Sequence, residues 1–223
     1  MRSRHLALLI APLLLAACGN ERNEPSAGSS ADTAAVRVAF DAYRTALHSP
    51  DASKAVALID SGTIVHFGRM RDLALEGDEP SVRALPVLEQ VLVLALRHRI
   101  PVDTLRTLTP ERVVAWTFRP EWTGDVARQQ DIILGRIEID GDEATGEAAG
   151  VGETTGQLFF FRKESNGWKI DLARIARANS ERVETRLGNE QADREKFISA
   201  LVEKATGRPA GPGLWKPPSD SGR

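Results

Sequence analysis

Histidines, arginines and carboxylates set the chemical possibilities of this chain. It has four histidines, His5, His48, His66 and His98. None stands at a metal-ligand spacing or beside a cysteine, so the sequence gives a metal site no support. His66, in TIVHF, is the one that could serve as a base near neutral pH. A histidine alone on a strand is more often a hydrogen-bonded structural residue. Arg69, Arg71 and Asp72, in GRMRDLAL, offer either an anion clamp at a pocket mouth or a salt bridge in a loop. Asp131, Arg136 and Glu138 lie in or beside one Ile-rich stretch. Arg136 and Glu138 are two apart and share a face if that stretch is a strand, lining a pocket or forming the sheet's wet side. Trp116 and Trp122 flank Arg119-Pro120, as an aromatic platform or as the edge of a core. No P-loop, dinucleotide glycine motif or serine elbow is present, and nothing calls for a cofactor.

The single cysteine, Cys18, closes the stretch LLLAAC. Arg2 and Arg4 precede an apolar run from Leu6, interrupted by Pro12 and ending in the small residues Ala16 and Ala17. That is the layout of a secretory signal, and the run is short of the ~20 residues a membrane span needs. Leu15-Ala16-Ala17-Cys18 closely resembles the bacterial lipoprotein box. The resemblance implies a diacylglyceryl group on the Cys18 sulfur, cleavage before Cys18 and acylation of the new amine. Two or more acyl chains hold a protein stably on a membrane. Gly19 after the cysteine resembles an outer-membrane address, facing the periplasm. Residues 1–17 are then a signal peptide and 18–31 a lipidated flexible tether. At ~5–6 Å × √n, its polar residues reach on the order of 20 Å. Loss of Arg2 and Arg4 takes the formal net charge from −2 to −4. That mildly acidic body has no basic stripe, which argues against a nucleic-acid partner. With one cysteine there is no intramolecular disulfide.

The elements that position these groups follow from periodicity. Val36, Phe40, Tyr43 and Leu47 predict an amphipathic helix with Asp32 or Thr33 as its cap. ASKAVALID predicts a second, short helix. Thr63–Phe67 has strand composition, and the stretch after it predicts loops around a short helical turn at 71–75. Val82–Ile100 predicts one long core helix, with Glu89, Gln90, Arg97, His98 and Arg99 on its wet side and end. Thr109-Pro110-Glu111 starts another short helix. DIILGRIEID, DEATGEAAGVG, GQLFFFRKES and WKIDLARI then predict four strands, joined in part by turns at Asp140-Gly141 and Asn166-Gly167. NEQADREKFISALVEKATGR predicts a C-terminal helix capped by Gly207, followed by a Pro/Gly tail pinned by Trp215. Helices first, an antiparallel meander next and a closing helix make the class α+β.

FDAYRTALHSPDASKAVALID and the hairpin ending in LFFFRKESNGWKIDL resemble the opening helix pair and final strand pair of the nuclear-transport-factor-2-like (SnoaL-like) superfamily. The resemblance implies N-terminal helices packed on a curved antiparallel sheet, cone-shaped and cystatin-like, with a pocket. It covers roughly residues 34–173, within a domain spanning 32–178. Residues 179–223 add a C-terminal helix and tail. Ketosteroid isomerases of that superfamily use a helix-one tyrosine as oxyanion donor, which Tyr43 matches by position. Their strand carboxylate has no counterpart, since His66 or Phe67 stands there. The leading expectation is therefore a non-catalytic envelope lipoprotein whose pocket binds a small apolar ligand or a protein partner. The alternative is a pocket enzyme of isomerase or hydrolase type using His66 and Tyr43. Arg69, Trp116 and Arg136 are the ligand-binding candidates.

Overall fold

The computed structural model of the chain describes residues 30–118, 132–150 and 154–218. Cys18, Trp122 and Asp131 lie outside them. The expected class holds: helices pack on a four-stranded antiparallel sheet of order β1-β2-β3-β4. Helix α1 (Ser30–Leu47) buries Val36, Phe40, Tyr43 and Ala46, the three-and-four spacing of one helical face. It begins at Ser30, inside the stretch assigned to the tether, with Asp32 in its first turn.

Strands β1 (Ile133–Asp140), β2 (Glu143–Ala149), β3 (Thr154–Glu164) and β4 (Gly167–Ile170) form the meander. Asp140 pairs with Glu143 across one tight turn, in which Gly141 has φ +57°. Glu164 pairs with Gly167 across another, where Gly167 takes φ +111°. Three consecutive phenylalanines in β3 mean that both faces of the sheet are covered there, because side chains alternate. Phe159 meets Phe40 of α1 edge-on at 4.8 Å. Trp168 donates its indole N–H to Asp32 at 3.1 Å on that same side. Phe160 turns the other way and lies under the Arg174 guanidinium, 4.4 Å from its ring centre.

Four expectations fail between Ser61 and Ile100. Thr63–Phe67 is helical, within α3 (Ser61–Glu76), and so is the stretch expected to be mostly loop. The β-branched run Thr63-Ile64-Val65 has strand propensity, but tertiary packing overrides it: Thr63, Phe67, Met70 and Ala74 are buried at helical spacing. The long helix is two, α4 (Glu79–Arg83) and α5 (Val87–Arg99), broken before Pro86, which has no N–H to continue α4. Glu89 and Gln90 are not wet: they are 8% and 0% exposed. Gln90 fills the break, donating to the carbonyls of Arg83 (2.8 Å) and Leu85 (2.6 Å).

The short helices α2 (Ser53–Val56), α6 (Val102–Thr107) and α7 (Pro110–Thr117) complete the N-terminal half. The fourth strand stops at Ile170, and α8 (Leu172–Asn189) begins where the strand was expected to continue. Asp171 ends the strand by capping α8, its carboxylate accepting from Arg174 N–H at 2.8 Å. Helix α8 runs through position 178, so residues just beyond the expected boundary continue the body. Helix α9 (Arg194–Thr206) ends at Gly207 with φ +67°, as a left-handed cap should. Trp215, in a 3₁₀ turn at Pro212–Trp215, is buried.

Candidate functional site

Two chain segments run side by side as a single parallel rung, Ile59 against Ile170. Ile170 N–H donates to Leu58 O at 2.9 Å, and Asp60 N–H donates to Ile170 O at 3.0 Å. Each segment then ends in an aspartate that starts a helix. Asp60 accepts from Gly62 N–H (3.1 Å) and Thr63 N–H (3.2 Å) at the head of α3. Asp171 does the same for α8. The two heads are tied together by Ala173 N–H donating to Thr63 Oγ1 at 3.1 Å.

Beside this junction lies a cleft of about 440 Å³, lined by Asp60, Gly62, His66, Glu143, Arg162, Asp171, Ala173, Arg174 and Arg177. It sits on the face of the sheet opposite α1, the side to which Phe160 and Arg162 turn. Glu143 of β2 accepts from Arg162 at 2.8 Å and from Arg174 at 2.6 Å. Those two guanidiniums hold its carboxyl below the usual range, Arg174 first. Burial pushes the Asp60 carboxyl up, and neighbouring Asp171 adds to the effect, against the amide bonds that favour its charged form.

His66 is one turn into α3, four residues past Gly62. Its Nε2 is 3.6 Å from Oε1 of Glu89, a buried carboxylate on α5. Burial lowers the imidazole's affinity for a proton. Glu89 opposes that, the Arg177 and Arg69 guanidiniums reinforce it, and Asp171 opposes it last. The outcome lies below the ordinary histidine value, which favours the neutral ring. Chemically the cleft offers an imidazole, a carboxylate behind it and guanidiniums around it.

The structure does not bring the two catalytic candidates together. Tyr43 is buried on α1, ring-on-edge to Phe118 at 6.1 Å, and is not among the residues lining the cleft. Burial alone pushes its hydroxyl well above the usual tyrosine value. The sheet face under α1, which a cone would leave open, carries Phe159, Phe161 and Trp168, packed with Phe40 of α1. Arg69 is exposed one turn past His66. Arg71 is committed to Asp72 at 2.7 Å and to Leu108 O at 2.7 Å, so the salt-bridge reading describes it. Arg136 and Glu138 form an exposed ion pair on β1; they share the cleft's face of the sheet but are not among the residues lining it. Trp116 is half-buried against the core.

Glu89, Asp60, Asp171, Glu143, Arg162, Arg174 and Arg177 were not singled out from sequence. Asp60-Ser-Gly-Thr and Asp171-Leu-Ala-Arg are both helix starts in retrospect, with an aspartate capping the amides that follow. No family model, curated protein or solved structure matches the chain. The cleft is therefore read on its own chemistry.

Proposed function

We propose that this chain is an envelope lipoprotein, anchored through acylated Cys18 and directed to the outer membrane. Its folded body is a non-catalytic binding module that takes a small ligand or a group of a partner protein in the cleft at the heads of α3 and α8. The lipoprotein box supports the anchor. Among the described residues no helix is long and apolar enough to cross a membrane. The observation that carries the binding reading is the cleft's lining, in which every one of the nine residues but Ala173 is charged, histidine or glycine. That lining suits a polar group better than the apolar ligand expected from sequence.

The nuclear-transport-factor-2-like likeness stands as part of this proposal. It is supported by α1 lying across β1 and β4 and by the hairpin of β3 and β4 at the matching sequence. A pocket enzyme is the second reading, favoured by one observation: His66 borders the cleft with Glu89 behind it, as a base and its orienting carboxylate would. Tyr43 has no part in that version.

Two experiments test the proposal. Radiolabelled palmitate should enter the wild-type chain and not Cys18→Ala, which should also leave the membrane fraction; unchanged fractionation refutes the anchor. Capture of the native protein from its membrane, with mass spectrometry of what is bound, should yield a ligand or partner lost in Arg177→Gln. Turnover of a chromogenic ester that disappears in His66→Ala would favour the enzyme.

A further inference from the structure

Most of the polar groups around the cleft are already spoken for. Arg162 and Arg174 share Glu143. The helix-head amides of Gly62 and Thr63 are taken by Asp60, that of Arg174 by Asp171, that of Ala173 by Thr63. Ser61 N–H donates to Glu164 at 2.7 Å. Asp60 and Asp171 are thus spent on caps, although they line the same space.

Two cations are left over. Arg177 lines the cleft, is exposed, and makes no hydrogen bond or ion pair among the described residues. Arg69 is exposed and equally uncommitted among them. It follows His66 by three positions on α3, a spacing that puts the Cβ atoms ~5–6 Å apart on one side of a helix. Arg177 follows Arg174 by three on α8, so the same geometry aims both toward the cleft side. Both guanidiniums, from two helices, act on the His66 ring, against the carboxylates of Glu89 and Asp171.

We propose that Arg177 and Arg69 hold a dianionic oxyanion of the phosphate type, carried by a small solute, against His66. This rests on the binding reading above and names its ligand class. The charged groups that act on His66 are Arg69 from α3, Glu89 from α5, Asp171 at the head of α8 and Arg177 in its second turn. With the cleft empty, burial first and then the two guanidiniums disfavour the charged ring, against Glu89 and Asp171. An oxyanion seated between them removes that repulsion, so the ring takes a proton from solvent as the anion binds. By reciprocity, acid then tightens binding by the same factor.

The test uses the full lipidated chain in detergent, with sulfate as probe because its charge is constant between pH 5 and 8. The His66 ring resonance should titrate at higher pH in saturating sulfate than without it. Sulfate should bind several-fold more tightly at pH 5.5 than at 7.5. Arg177→Gln should weaken it about tenfold, the loss of one charge-assisted contact, and Arg69→Gln several-fold. Arg136→Gln, outside the cleft lining and paired with Glu138, should change nothing. Sulfate affinity indifferent to Arg177→Gln, or a His66 midpoint that sulfate does not move, overturns the inference. If no oxyanion binds but Arg177→Gln still abolishes capture from the membrane, the ligand class is wrong and the binding module stands.

Discussion

Arg97 gives the sharpest stability prediction. Its guanidinium, half-buried near the end of α5, donates to five backbone carbonyls. They are Leu73 (2.8 Å), Ala74 (2.9 Å) and Gly77 at the end of α3, and Leu214 (3.0 Å) and Trp215 (2.9 Å) in the C-terminal 3₁₀ turn. Burial without a carboxylate partner lowers its proton affinity, so carbonyl dipoles alone compensate the charge. Arg97→Met should remove all five bonds and leave carbonyls at the end of α3 and in the tail unsatisfied. A hydrogen bond to a charged group contributes about 1.5–3 kcal/mol, but five sharing one guanidinium are not additive. Water reaches part of this site. A cost of about 3–5 kcal/mol, as for breaking a buried charged network, is the expected total. For a body of this size that is roughly 6–20 °C in melting temperature. Arg97→Lys should lose most of it, because an ammonium lacks the planar fork that spans two segments. Urea unfolding followed by tryptophan fluorescence measures the loss, and limited proteolysis should release the tail around Trp215 first. An Arg97→Met protein within 1 kcal/mol of wild type would refute the clamp.

Gly77→Ala should also destabilise, by about 1–3 kcal/mol, since an added Cβ would lie 2.6 Å from Leu73 O, one of Arg97's acceptors; denaturant midpoints would show it. Phe161→Ala should cost about 3–5 kcal/mol, because the ring is 1% exposed in a cluster that cannot collapse around it; a loss under 1 kcal/mol in urea unfolding would place it outside the core. His66 binds its proton less tightly folded than unfolded. Its contribution to stability is full above its unfolded value near 6.5 and is lost as pH falls through the lower folded value. His66→Gln should therefore flatten the fall in urea midpoint between pH 7.5 and 5, and a fall of unchanged size would contradict the burial argument.

What was legible in the sequence was whatever local pattern and tertiary packing agree on. Helix α1 shows its buried stripe in plain spacing. Both tight turns sit where Asp-Gly and Asn-Gly demand a positive φ, and Gly207 caps α9 for the same reason. The misread stretches are conflicts between levels. Thr63-Ile64-Val65 prefers a strand taken alone, yet Asp60 caps a helix there and Phe67, Met70 and Ala74 need burial on its face. Trp168 and Ile170 alternate like a strand that continues, and only the Asp171 cap stops it. The cleft was illegible for a related reason. Its residues come from Asp60–His66, β2, β3 and the start of α8, and only the Ile59–Ile170 rung brings these together. Glu89 stood on a helix read as wet on that side; its burial depends on α3 packing over α5, which periodicity within one helix does not show.

The most direct test of the account places a photo-reactive amino acid at Ala173, in the cleft lining, of the full lipidated chain in living cells. A discrete adduct is expected in the membrane fraction that disappears with Arg177→Gln and is not formed from the same group at Val38, exposed on α1 on the other side of the sheet. No adduct at Ala173, or one that forms equally from Val38, would contradict the binding reading.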